Sequence, residues 1–170
     1  MLFRSKAEVR SRVGALIDFD KRAFRVGFAA RWDQEKQPNF YMDLAEAWRE
    51  RHPGEPLEFA VFSGAPLRSN NSSYMQRTRD LQAKGVLTIY EDLEKNDYYA
   101  LLNNSRVLFN CALQDWVSNT VSEADTLGAN VLYPAYRSFP ETFANDPDRL
   151  YIPWSMDDAL NKLEKLIRRP

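Results

Sequence analysis

Short apolar runs alternate along this chain with longer segments of helical period, and few folds satisfy that alternation. The runs are residues 25–30 (RVGFAA), 57–62 (LEFAVF), 86–90 (VLTIY), 106–110 (RVLFN), 130–133 (NVLY) and a short one at 150–152. A strand that is apolar on both sides must be covered on both sides, and parallel neighbours need a crossover between them. The segments between the runs supply those crossovers. Residues 40–51 repeat Tyr41, Leu44, Ala45 and Trp48 on one helical face. Further helices are expected over 73–83 before Gly85, over 95–104 with Tyr98, Leu101 and Leu102 inward, and over 119–127 before Gly128. The last is expected over 156–168, with Leu160, Leu163 and Ile167 inward, Ser155 as its cap and Asp157 and Asp158 in its first turn. The fold class that follows is α/β: a three-layer, Rossmann-like parallel sheet of six strands, in the order 3-2-1-4-5-6, with helices on both faces.

With 170 residues, 44% of them hydrophobic, one compact domain with a sizeable core is expected. Residues 1–22, helical over 6–16, are expected to be an interdomain linker or an N-terminal helix, with the domain proper at 23–170. Twenty-three Lys and Arg against 24 Asp and Glu leave a net charge of -1, which gives no support to nucleic acid as a partner or acceptor. The lone Cys111 and lone His52 exclude an intramolecular disulfide and a Cys/His zinc site. No apolar run is long enough to span a membrane, and residues 1–12 are charged where a signal peptide is apolar. A reducing, cytoplasmic setting is the expectation. His52, beside Pro53 and Gly54, is expected on the surface, away from any chemistry.

Ligands of open parallel sheets bind beyond the carboxyl ends of the strands, where the strand order reverses. Three such places carry suggestive residues. After the first strand come Arg31 and Lys36, two cations ahead of a helix that are suited to an anion such as a diphosphate. The competing reading pairs Arg31 with Asp33 or Glu35 and leaves Lys36 solvated. After the fourth strand come Asp115, then Ser118, Asn119 and Thr120 at a helix start, then Glu123 within that helix. A helix N-terminus offers unpaired NH groups to phosphate, and a carboxylate one turn on can accept from two vicinal hydroxyls. The competing reading makes Asp115 a cap and Glu123 an exposed helix residue. After the third strand, Tyr90 and Leu93 are suited to flank a flat base, unless they are ordinary core. Trp32, Trp116 and Tyr136 lie near the same cleft, for acceptor or partner contact or for packing.

Taken together, the pieces resemble the C-terminal, nucleotide-sugar-binding domain of retaining glycosyltransferases of the GT-B fold. The resemblance rests on a strand ending in Arg31, on Glu35-Lys36 after it, and on Asp115, seven residues, Glu123-Ala124, then Gly128 before the next strand. It covers residues 23–168. It implies that Arg31 and Lys36 hold the diphosphate of a nucleoside-diphosphate sugar and that Glu123 binds the ribose. Asp115 would approach the donor sugar, Ser118, Asn119 and Thr120 would meet sugar and phosphate, and Tyr90 would lie near the base. It implies metal-independent chemistry and no cofactor. It also implies a missing N-terminal acceptor domain, in the same gene product or in a partner chain, without which this half is inactive. Two departures stand out: the first acid is Asp rather than Glu, and Trp116-Val117-Ser118 replaces a glycine-rich stretch. They leave the donor sugar and the role of Asp115 open.

Two alternatives share the same fold class. One is a nucleotide-binding domain without transfer activity. The other is a receiver-like signalling domain, against which stands the arginine where acids would hold a metal after the first strand.

Overall fold

Each apolar run becomes a strand because its successive side chains enter two different cores. In a computed structural model that describes residues 5–111, 119–136 and 146–169, the strands are β1 (Arg25–Phe28), β2 (Glu58–Phe62), β3 (Leu87–Tyr90), β4 (Val107–Phe109), β5 (Asn130–Pro134) and β6 (Leu150–Tyr151). All pair in parallel in the order β3-β2-β1-β4-β5-β6, as expected. The order reverses between β1 and β4, where Val26 pairs with Val107 and Gly27 with Leu108. A receiver domain places its first strand between the second and third, so this topology sets that alternative aside.

The helices are α1 (Lys6–Ser11), α2 (Pro38–Arg51), α3 (Ser72–Ala83), α4 (Lys95–Asn103), α5 (Asn119–Thr126) and α6 (Met156–Leu166). Val26, Phe28, Phe59, Val61, Val107 and Phe109 pack against Tyr41, Leu44 and Trp48 of α2 and Leu160 and Leu163 of α6. Ala60, Phe62, Leu108, Val131 and Tyr133 face the other way, against Val9, Tyr99, Leu102, Val121 and Ala124. This alternation of adjacent residues between two cores is why the strands read as continuous apolar runs.

The expected caps are in place. Ser155 Oγ accepts from the Asp158 amide at 3.2 Å, and Gly85 and Gly128 hold φ of 74° and 86° after α3 and α5. Several boundaries differ from expectation. The N-terminal helix stops at Ser11 rather than 16, before a turn at Gly14 with φ of 74°. The last helix ends at Leu166 rather than 168. The first strand ends at Phe28, so that Ala29 and Ala30 leave the ladder and become the wall of a cavity.

Residues 5–22 do not stand off from the domain. Val9 is buried in the second core, and Arg22, 4% exposed, donates to the carbonyls of Ile17 at 3.0 Å, Ser105 at 3.2 Å and Leu127 at 2.6 Å.

Candidate functional site at the carboxyl edge of the sheet

A cavity of about 300 Å³ opens beyond the carboxyl ends of β1 and β2. Ala29, Ala30 and Arg31 form one wall, and Phe62, Ser63 and Gly64 form the next. Leu93, Lys95, Tyr98 and Thr120 close it from the far side. The centre of β1 permits this shape, because a side chain at Gly27 would collide with the Phe62 ring that floors the cavity.

Arg31 lies on this wall, with its side chain 69% exposed. It also makes the pairings of the competing reading, to Glu35 at 3.0 Å and Asp33 at 3.6 Å. Lys36 ends a short 3-10 turn, Gln34–Lys36. Its carbonyl accepts from Cys111 Sγ at 3.3 Å, while Gln37 Nε2 donates to the Cys111 carbonyl at 2.8 Å. These bonds stitch the β1–α2 loop to the end of β4, across the reversal of strand order. Burial pushes the Cys111 thiol well above its ordinary pKa, so it serves here as a neutral donor.

Asn119 opens α5, and Thr120 in its first turn reaches the cavity. The positive end of that helix therefore faces the space. Glu123 stands one turn further in, with its side chain 12% exposed and Oε2 3.9 Å from Lys95 Nζ. That oxygen lies beneath the surface with no hydrogen-bond partner among the described residues. The Tyr98 hydroxyl is in the same condition, and burial, reinforced by the Glu123 charge, raises its pKa. Arg31 and Thr120 thus line one cavity, and Glu123 approaches it through Lys95; Lys36 is not among the lining residues.

Asp115 and Ser118 lie outside the described residues, as does Trp116. The structure does not bring Tyr90 to the cavity. Its side chain leans back along the sheet, where its hydroxyl donates to Glu58 Oε1 at 2.8 Å and accepts from Arg25 at 3.3 Å. Leu93, considered with it, does line the cavity. Trp32 is core, with Nε1 donating to Thr78 Oγ1 at 2.7 Å, and Tyr136 is exposed past β5. His52 is remote from the cavity but half-buried rather than free on the surface: it stacks on Trp48 and bonds to Glu164 at 2.8 Å. Among the described residues, no group of three or more His, Cys, Asp or Glu is placed to hold a metal ion. No helix among them is long and apolar enough to cross a membrane.

Sequence reasoning missed Lys95 and Tyr98 as site residues. No protein-family model and no curated protein matches the sequence. Solved structures do match. The E. coli trehalose-6-phosphate protein bound with UDP-2-fluoro glucose superposes at a TM-score of 0.76 and 9% identity over 99% of this chain. A UDP-forming trehalose-phosphate synthase from Burkholderia xenovorans gives 0.76 at 13% identity, again over 99%. TarM gives 0.69 at 13% identity over 86%. This chain has the fold of a C-terminal GT-B domain. At these identities the GT-B likeness establishes architecture and not activity. The chain spans 43%, 44% and 28% of the respective structures.

Proposed function

We propose that this chain is the donor-binding half of a glycosyltransferase, which transfers a hexose from a nucleoside-diphosphate sugar to an acceptor with retention at the anomeric carbon. The observation that carries the reading is the convergence on one cavity of Arg31, Lys95 and the first turn of α5, beside the under-bonded carboxylate of Glu123. Cations and a helix N-terminus suit a diphosphate. A carboxylate that only accepts suits a vicinal diol.

In this reading Arg31 and Lys36 hold the diphosphate, with the Ser118, Asn119 and Thr120 segment against phosphate and sugar. Glu123 takes the ribose hydroxyls, Leu93 and the loop after β2 flank the base, and Asp115 approaches the hexose. As the glycosidic bond breaks, its electron pair passes to the departing diphosphate oxygen. Fixed cations lower the barrier there because the charge they meet grows toward the transition state. With the diphosphate charge met by side chains, a chelator is expected to leave binding unchanged. The chain spans under half of the E. coli protein that carries UDP-2-fluoro glucose. That supports placing the acceptor on a second domain or chain, without which this half binds donor but transfers nothing. The buried, lone Cys111 thiol suits a reducing cytoplasm.

Differential scanning fluorimetry with UDP, GDP and free hexoses tests the reading. UDP or GDP is expected to raise the melting temperature, and free hexose is not. Glu123→Ala is expected to weaken nucleotide binding by about 1.5 to 3 kcal/mol, roughly ten- to a hundredfold. A titration curve unchanged in that variant removes Glu123 from the site.

A further inference from the structure

The loop after β2 is braced on either side of one residue. Ser63 donates its amide to the Tyr90 carbonyl at 2.8 Å, and its own carbonyl accepts from the Leu93 amide at 3.0 Å. The Ser63 hydroxyl donates to the Ala65 carbonyl at 2.7 Å and accepts from the Ala65 amide at 3.4 Å. Pro66 follows and has no N–H to give. Between these committed groups lies Gly64, whose N–H and C=O have no hydrogen-bond partner among the described residues. Gly64 lines the cavity, and a glycine can present nothing there but its peptide.

The fold itself does not call for glycine at this position. Its φ lies outside the left-handed region, and beyond its chain neighbours a Cβ there would meet nothing closer than the Leu93 carbonyl oxygen at 3.6 Å, an ordinary contact. That carbon would stand between two residues of the cavity wall, Gly64 and Leu93. The bare peptide therefore serves what enters the cavity. A carbonyl repels phosphate, but a donor beside an acceptor matches the edge of a flat heterocycle, where a ring carbonyl accepts and the neighbouring ring N–H donates. Phe62, Leu93 and Tyr98 supply the apolar faces that such a ring needs. We infer that the Gly64 peptide reads the edge of the nucleobase, its N–H donating to a ring carbonyl and its C=O accepting from the adjacent ring N–H. Uracil and guanine both offer that edge. Because the loop is already braced, little ordering is left to be done on binding. This rests on the donor reading above and adds to it a specificity-determining residue, Gly64.

Calorimetric titration of the chain with UDP and GDP, then with the ring-N-methylated form of whichever binds, tests the inference. A base held only by its faces leaves that edge open and tolerates the methyl group; a base read by Gly64 loses the N–H and meets the carbonyl. The wild-type chain is expected to bind the methylated form about tenfold more weakly than the parent. Gly64→Ala is expected to melt no lower than wild type, since alanine reduces the entropy of the unfolded chain, and to bind the parent nucleotide about tenfold more weakly. Equal binding of the parent and methylated nucleotides by the wild type overturns the inference alone, and so does wild-type affinity in Gly64→Ala. Failure of the wild type to bind either UDP or GDP overturns the donor reading and the inference with it.

Discussion

Arg22 has no carboxylate partner among the described residues, yet it is almost wholly buried. Its guanidinium is held by backbone carbonyls at the ends of two helices, Leu102 of α4 at 3.5 Å and Leu127 just past α5 at 2.6 Å. Both are C-terminal ends, where carbonyls lack helical partners and the dipole favours a cation. Burial still lowers the pKa of Arg22, and the carbonyls compensate for the lost hydration. Gly128 is part of the arrangement, since a Cβ there would sit 2.6 Å from the guanidinium. Arg22→Met is expected to destabilise the chain by about 2 to 3 kcal/mol, because several charged hydrogen bonds vanish and carbonyls remain buried. Thermal unfolding should register that as a loss of roughly 5 to 10 °C; a shift under a degree would mean that the carbonyls find other partners. At this scale the sequence is only partly legible. Arg31 can be placed because it ends an apolar run, and Glu123 because it follows a helix start by a fixed spacing. Lys95 cannot: it opens an ordinary helix between Glu94 and Asp97, and its meeting with Glu123 depends on how α4 and α5 pack. Tyr90 reads as a strand-end aromatic, and its commitment to Glu58 and Arg25 depends on the register of three strands.

At the scale of elements, α2 and α6 are fastened beneath the sheet by a cluster around Glu164. His52 Nε2 lies 2.8 Å and Arg51 3.1 Å from its Oε1, while Arg168 binds Glu55 at 2.8 Å. Partial burial alone would raise the pKa of Glu164, but the hydrogen bonds from His52 and Arg51 outweigh it and lower the value. A carboxylate with a lowered folded-state pKa stabilises the fold above its unfolded value, about 4.3 for Glu, and that stabilisation is lost as the pH falls through the folded value. Glu164→Gln is accordingly expected to cost on the order of 1 kcal/mol at neutral pH, and the difference from wild type should shrink below about pH 4. Melting curves across that range check the sign; a difference that widens toward acid would contradict it. Elements were the most legible level, since helix period and capping residues locate α2, α3, α4 and α6 nearly to the residue. Where the ends slipped, tertiary demands explain it. Ala29 and Ala30 are apolar enough to extend β1 but instead wall the cavity, and the turn at Gly14 shortens α1.

At the scale of the molecule, the order β3-β2-β1-β4-β5-β6 fixes where function can reside. The chain diverges on either side of the β1–β4 boundary, and the cations after β1 and the helix start after β4 are brought to one edge whatever their separation in sequence. That consequence of topology was legible from the alternation of runs and helices. The depth of the cavity was not, because it depends on Gly27 leaving room for Phe62. The structure of the chain with UDP or GDP bound tests the account most directly. The nucleotide is expected in the cavity, with its diphosphate within hydrogen-bond reach of Arg31 and Lys36 and its ribose against Glu123. A nucleotide lodged elsewhere, or a cavity left empty under saturating nucleotide, would contradict the account.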